Sequence, residues 1–249
     1  MCSVILLLRP QHEWPVLIAA NRDEMHDRPW LPPGRHWSDR PELVAGQDLL
    51  AGGSWLGIND FGVVAGILNR RNTLGPQAGK RSRGELVLDA LDFADADAAV
   101  AMLRDLDAAA YRPFNMFLVD NSDGFWLRND GHEIAVEALP PGLSMITSSD
   151  RNDPSSLRIQ HFLPRWRSAS EPEPERGAWE DWEALLAARD HHPAGDVFDA
   201  MQIVSNTGFG TMSSSLMALP SVQHSERSPV WRFLGGRPES ASWVTVDLT

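Results

Sequence analysis

The apolar positions of this chain fall in short blocks separated by turn residues, and their spacing predicts strands more often than helices. Val4-Ile5-Leu6-Leu7-Leu8 is a continuous apolar run of strand length. A turn at residues 9–13 leads to Val16-Leu17-Ile18-Ala19-Ala20, which reads as the hairpin partner. That second strand ends in four polar residues, Asn21-Arg22-Asp23-Glu24. Residues 52–58 read as a strand entered through a glycine turn, Asn59-Asp60-Phe61-Gly62 as a hairpin turn, and residues 63–68 as the return strand. Residues 114–120 and 124–129 form another predicted hairpin, followed by a strand over 133–138. Residues 213–219, 231–233 and 243–246 supply the last strands. The alternation suits antiparallel sheets covered on one face.

Helical spacing appears in four places. Ser82-Arg83-Gly84-Glu85 opens a helix with Ser82 and Glu85 at capping-box separation. A second helix is predicted over 95–106, a third over 156–167 and a fourth over 179–189. Residues 25–41 are dense in proline and tryptophan and read as an extended loop. Within it, Trp30 is a candidate for a pocket wall or for pinning the loop to the core.

Composition narrows the possible functions. The 249 residues carry 22 basic against 34 acidic side chains, a formal net charge of −12. Phosphate-backbone binding needs clustered cations, so nucleic acid is not an expected partner. The basic stretch from Arg70-Arg71 to Lys80-Arg81 and Arg83 is a local exception. One cysteine makes no internal disulfide. No run approaches the ~20 apolar residues that cross a bilayer, so no stable membrane insertion is expected. A single domain over 1–249, located in the cytoplasm, is the expectation. His191-His192 is not expected to bind metal, because adjacent side chains point apart and nothing nearby completes a ligand set.

The candidate chemistry gathers at the start of the chain. Cys2, the one cysteine, directly follows Met1. With Met1 removed, it carries a thiol and a free α-amine on one carbon. The thiolate is the reactive form, and an α-amine titrating near ~7.7–8.0 can take a proton and return it to a leaving group. The hairpin brings the polar quartet back toward Cys2. There Arg22 would favour the thiolate, and a carboxylate, Asp23 or Glu24, would orient the amine. Asn69, at the end of the 63–68 strand, offers a neutral amide donor of the kind that stabilises an oxyanion. Asn115, entering the 114–120 strand, is a further candidate facing the site.

The opening Met-Cys, the apolar strand and Ala20-Asn21-Arg22-Asp23-Glu24 resemble the NRDE-motif family, also called the transport and Golgi organisation family. Matches continue at Gly52-Gly53-Ser54-Trp55-Leu56-Gly57-Ile58, Leu68-Asn69, Arg83-Gly84-Glu85-Leu86, Phe114-Asn115 and Gly208-Phe209-Gly210-Thr211. That family in turn resembles cysteine N-terminal nucleophile hydrolases of the choloylglycine hydrolase and penicillin V acylase type. The resemblance implies an α+β fold, a four-layer αββα sandwich of two antiparallel sheets, with Cys2 at the end of a central strand. It assigns the oxyanion role to Asn69 and includes Asn21 in the catalytic set. Trp30, Trp55, Arg83, Asn115 and Ser148 become candidate substrate contacts. Two positions depart from the pattern. Ser148 stands near where relatives carry an asparagine, with Asn152 four residues on, and Met212 stands where relatives tend to have an arginine.

Two readings follow. In the first, the protein is an amidohydrolase that cleaves a small amide or related acyl compound through Cys2 and needs no cofactor. In the second, the same fold is a non-catalytic carrier for an amphipathic anion such as haem or an acyl-CoA or lipid-like ligand. A soluble interaction protein with an inert Cys2 ranks below both.

Overall fold

The computed structural model describes residues 2–224, 226–236 and 241–249; Met1, on whose removal the nucleophile reading depends, lies outside them. β1 (Ser3–Leu8) and β2 (Val16–Met25) form the expected hairpin, in register from Ser3↔Asn21 to Leu8↔Val16. β2 does not stop at Ala20 but runs through the polar quartet. Its period of two therefore sends Arg22 and Glu24 to one face and Asn21 and Asp23 to the other.

The segment 25–41, read from sequence as a loop, contains β3 (Trp30–Gly34), which pairs with β4 (Leu43–Asp48). Prolines 32 and 33 are tolerated because β3 is an edge strand. The glycine-turn strand starts later than expected, at β5 (Leu56–Asn59), and returns as β6 (Val64–Asn69). β7 (Phe114–Val119), β8 (Gly124–Asn129) and β9 (Ile134–Ala138) complete a seven-stranded antiparallel sheet in the order β3-β4-β5-β6-β7-β8-β9.

The other sheet has the order β10-β1-β2-β11-β12-β13, with β10 (Gly142–Ile146), β11 (Phe209–Leu219), β12 (Val230–Gly235) and β13 (Val244–Thr245). Alternate residues of β1 and β2 divide between two cores. Val4, Leu6, Ile18 and Ala20 meet Val44, Leu56, Leu68 and Phe117 of the seven-stranded sheet. Ile5, Leu7, Leu17 and Ala19 pack under α3 (Leu157–Ser168) and α4 (Glu180–Leu186), whose Trp166 and Trp182 are fully buried there. α1 (Gly84–Leu91) and α2 (Ala96–Arg104) cover the far side of the seven-stranded sheet. The layers run α, β, β, α, as the resemblance implied.

The expected capping box at Ser82 does not form. The N-cap of α1 is Arg83, with no side-chain cap bond, while Glu85 pairs with Arg81 at 2.6 Å. Among the described residues no helix is long and apolar enough to cross a membrane.

Candidate active site

Cys2 immediately precedes β1, one residue before the Ser3↔Asn21 pair, and packs against the core that faces the seven-stranded sheet. Its Sγ lies against the backbone of Asp23. The Asp23 N–H donates to it at 3.4 Å, and it donates to the Asp23 carbonyl at 3.6 Å. Burial pushes the thiol pKa up, and the Asp23 charge adds to that; the Asp23 backbone bond and Arg22 pull the other way. The balance of these contributions favours the thiol over the thiolate.

A cavity of about 260 Å³ opens in front of Cys2, and Cys2 also lines a smaller, mostly apolar niche with Val4, Leu56, Leu68 and Phe117, to which Asn21, Ser213 and Ser215 contribute. Arg22 projects along its wall. It is 6% exposed, with its guanidinium 4.2 Å from the centre of the Trp55 ring and 5.9 Å from that of Trp30. Cation–π contact of this kind holds a desolvated guanidinium in place. Burial lowers the Arg22 pKa, which Cys2, Glu24 and Asp48 oppose. Its Nη1 has no hydrogen-bond partner among the described residues. Trp55 lines the cavity, its ring over Gly46, where a Cβ would lie well inside contact distance. Trp30 is not a lining residue. It packs edge-on against Trp55 at 5.8 Å and Phe233 at 6.0 Å, which is the pinning role.

Asn69 ends β6 at the cavity wall, half-buried, and its amide makes no hydrogen bond among the described residues. Asn69 and Cys2 thus line the same cavity. Glu24 lines the same wall, 3.8 Å from Arg28, with one oxygen accepting from the Met25 N–H.

Arg83 enters from the opposite sheet because α1 starts on top of the glycine turn. Ser54 N–H donates to the Gly84 carbonyl at 3.0 Å, and a Cβ on Gly53 would collide with the Gly84 backbone. The Arg83 Nη1 donates to Thr73 Oγ1 and the Pro113 carbonyl, both at 3.0 Å. Burial, then the nearby Arg112, pulls its pKa down to about 10, so it stays cationic at neutral pH. Arg112 donates to the carbonyls of Asn72, Leu74 and Gly75, and Lys80 to that of Ala109. Six cationic residues line the cavity together with Asp23, Glu24 and Asp48, and of these the Asp23 carboxylate is turned away toward the helical layer. Arg28 is matched by Asp48 at 2.7 Å and Arg81 by Glu85, whereas Arg83, Arg112 and Lys80 hold neutral acceptors. The mouth is positive in a chain that is strongly negative overall.

The remaining sequence candidates fall elsewhere. Asn21 faces the helices, 1% exposed, and its Nδ2 donates to the carbonyls of Leu186 (2.9 Å) and Met201 (2.8 Å) while Oδ1 accepts from Ser214 Oγ (2.6 Å). Its side chain is fully spent tying β2 to the helical layer and β11. Asn115 is wholly buried and does not line the cavity; it accepts from Arg70 and donates to the carbonyls of Thr147 and Ser149. Ser148 is buried, lies outside the cavity lining, and gives its carbonyl to the Arg71 N–H. Asn152 adopts positive φ and bonds Met145 on both sides of a turn. Met212 occupies the bulge of β11, where the register against β2 shifts between Thr211 and Ser213.

That bulge keeps Thr211 opposite Asp23, whose Oδ1 accepts from Thr211 Oγ1 at 2.6 Å. On the other side stands Arg158, from the first turn of α3. It is 2% exposed, 3.7 Å from Asp23 Oδ2, and donates to Ser3 Oγ at 2.6 Å and to the Phe198 carbonyl. Sequence reasoning gave no site role to Arg158, Thr211, Asp48, Lys80 or Arg112, although Lys80 lies in the basic stretch and Thr211 ends the match at 208–211. Arg158 left one signal, a cation i,i+4 from Phe162 on the apolar stripe of its helix.

A family model described as Transport and Golgi organisation 2 matches residues 1–196. The bovine Transport and Golgi organization protein 2 homolog is 32% identical over 133 residues, covering 49% of this chain and 46% of the relative. The human homolog is 31% identical over 132 residues with the same coverage. The matched stretch thus spans about half the length of these curated relatives. Among solved structures, a Caenorhabditis elegans N-acylethanolamine-hydrolyzing acid amidase ortholog superimposes with TM-score 0.57 at 15% identity, covering 92% of this chain and 98% of its own. Penicillin V acylase from Agrobacterium tumefaciens gives 0.57 at 14%, over 100% and 88%. A C2A mutant of conjugated bile acid hydrolase from Clostridium perfringens gives 0.55 at 10%, over 100% and 94%. At these identities the likeness is one of fold.

Proposed function

Since this chain belongs to the Transport and Golgi organisation 2 family and has the fold of N-terminal nucleophile hydrolases, we propose that it hydrolyses a small amide through Cys2 once Met1 is removed. The α-amine takes the thiol proton as sulfur bonds to the amide carbon, and Asn69 donates to the oxyanion. The C–N bond then breaks and the proton passes to the departing amine. Water attacks the thioester, releasing a carboxylic acid and restoring the thiol. Asp23 orients the amine; Glu24, engaged with Arg28 on the cavity face, is the weaker candidate. A thiol whose pKa burial raises needs such a base beside it.

The observation that carries this reading is the unspent Asn69 amide in the cavity of the one cysteine. The cavity, at about 260 Å³, lies below the range for drug-sized ligands, which favours a compact substrate. The positive mouth favours one that bears an anionic group. That same charge supports the second reading, a non-catalytic carrier of an amphipathic anion of the haem or acyl-CoA kind. Intact mass separates the two. The protein is expected to lack Met1 and, with a panel of anionic N-acyl amides, to release carboxylic acid and amine through a transient acyl mass on Cys2, all abolished in Cys2→Ala. Retained Met1, or saturable binding of the same amides with neither acylation nor release of acid, would reject hydrolysis in favour of carriage.

A further inference from the structure

Arg158 is a buried cation that the reaction above does not use. Its place in the fold is costly twice over. Removing a guanidinium from water costs several kcal/mol, and a cation in the first turn of a helix opposes the helix dipole. Burial pulls its pKa down; Asp23, Asp199 and Cys2, in that order, push it back up. Its fixed fork divides between Ser3 Oγ on β1 and the Phe198 carbonyl, and faces Asp23 Oδ2 on β2. The residues it braces are the two that flank the nucleophile: Ser3 follows Cys2, and Asp23 bonds the Cys2 sulfur through its backbone.

An unshielded Asp23 carboxylate would hinder the chemistry. It disfavours the thiolate, and it favours the ammonium form of an adjacent amine that must be neutral to act as base. A permanently charged guanidinium on the other side of that carboxylate reverses both effects. The remaining charges facing this point are Arg22 and Glu24 on β2, Asp199 beside α3, and Arg28, Asp48 and Arg83 around the cavity. Of the cations, Arg158 is the one that approaches Asp23 from the helical layer.

We propose that Arg158 is a positioning residue: by neutralising Asp23 from behind, it lets that carboxylate orient the Cys2 α-amine without holding the amine protonated or the thiol inert. The amine half rests on the amidohydrolase reading; the thiol half does not.

The test needs no substrate, because Cys2 is the one thiol and its alkylation by iodoacetamide can be followed from pH 5 to 10. Arg158→Gln is expected to raise the midpoint of the alkylation profile by about one pH unit, and Asp23→Asn to lower it by a similar amount. The double variant should return near the original midpoint, and Arg158→Lys should stay there. Single variants that fold, by circular dichroism, yet share the original midpoint would overturn the proposal. So would two single variants that move in the same direction, as a purely structural role would produce. If Arg158→Gln does not fold, Asp23→Asn and the double variant decide: a double variant that keeps the lowered midpoint refutes the coupling. Intact mass of the same samples reads Met1. Its retention would reject the amidohydrolase reading, while the midpoints still decide what Arg158 does to the thiol.

Discussion

Two asparagines from the same sequence motifs should behave in opposite ways when truncated. Asn21 supplies two N–H bonds to buried carbonyls and accepts one hydroxyl. Asn21→Ala leaves Leu186 O, Met201 O and Ser214 Oγ unpaired beneath the helical layer. Each buried orphan costs about 1–3 kcal/mol, and partial relaxation brings the total to about 3–5 kcal/mol. For a chain of this size, that lowers the melting temperature by roughly 6–20 °C. Asn69 has no hydrogen bond to lose, so Asn69→Ala should stay within about 0.5 kcal/mol of the parent. Its cost should appear in chemistry, as about 10²–10³-fold slower acylation of Cys2, the usual effect of deleting one oxyanion donor. Equilibrium urea unfolding followed by tryptophan fluorescence measures the first quantity, and time-resolved intact mass the second. If Asn69→Ala lost several kcal/mol, or Asn21→Ala unfolded with the parent, the assignment of one to structure and the other to the reaction would be wrong.

Gly46→Ala should push the Trp55 ring off its seat and away from Arg22, costing about 1–3 kcal/mol by overpacking; a faster iodoacetamide reaction at Cys2 and a lower unfolding midpoint would register it, and an unchanged labelling rate would contradict the packing. Because burial raises the Cys2 pKa, the folded state holds the thiol proton more tightly than the unfolded chain. Its contribution to stability is complete below about pH 8.5 and is lost as pH rises through the folded value. Cys2→Ala should therefore flatten the alkaline fall in stability, measured by urea midpoints between pH 8 and 10. Arg83→Gln should reduce the preference for an anionic amide over a neutral one of equal size by about tenfold or more in kcat/KM, with neutral substrates little affected.

Much of the scaffold was legible because it is written locally. The apolar runs at 4–8 and 16–20, the turn at 59–62 and the periodic helices each specify themselves within a dozen residues. β3 was not, since its two prolines argue against a strand unless an edge position is known. The quartet was read as one cluster because β2 was ended too early; continued at a period of two, the strand splits it. Cys2, Arg22, Glu24, Trp55, Asn69 and Arg83 do share one cavity. Asn115 looked like a site residue because a buried amide satisfied by distant carbonyls and one left without a partner at a cavity wall have the same one-letter code. What distinguishes them is the 147–149 segment, 32 and 34 residues away in the chain. Arg158 and Thr211 reach Asp23 from still further off.

The pairing of β11 with β2 has a consequence for how the protein comes into being. Asp23 and Thr211 are 188 residues apart, so at ordinary translation rates the first hairpin waits roughly 10–40 s for its neighbour. During that interval one side of β2 is an open strand edge with apolar residues on both faces, a template for pairing with other chains. The same edge would be bared permanently in a fragment ending at residue 196, where the family match stops, and Asp23 would lose the hydroxyl that fixes one of its oxygens. Such a fragment should aggregate rather than fold, although it keeps Cys2, the quartet and most of the cavity wall. Cys2 is the second residue of the sequence, but its surroundings are finished by residues more than 200 positions later.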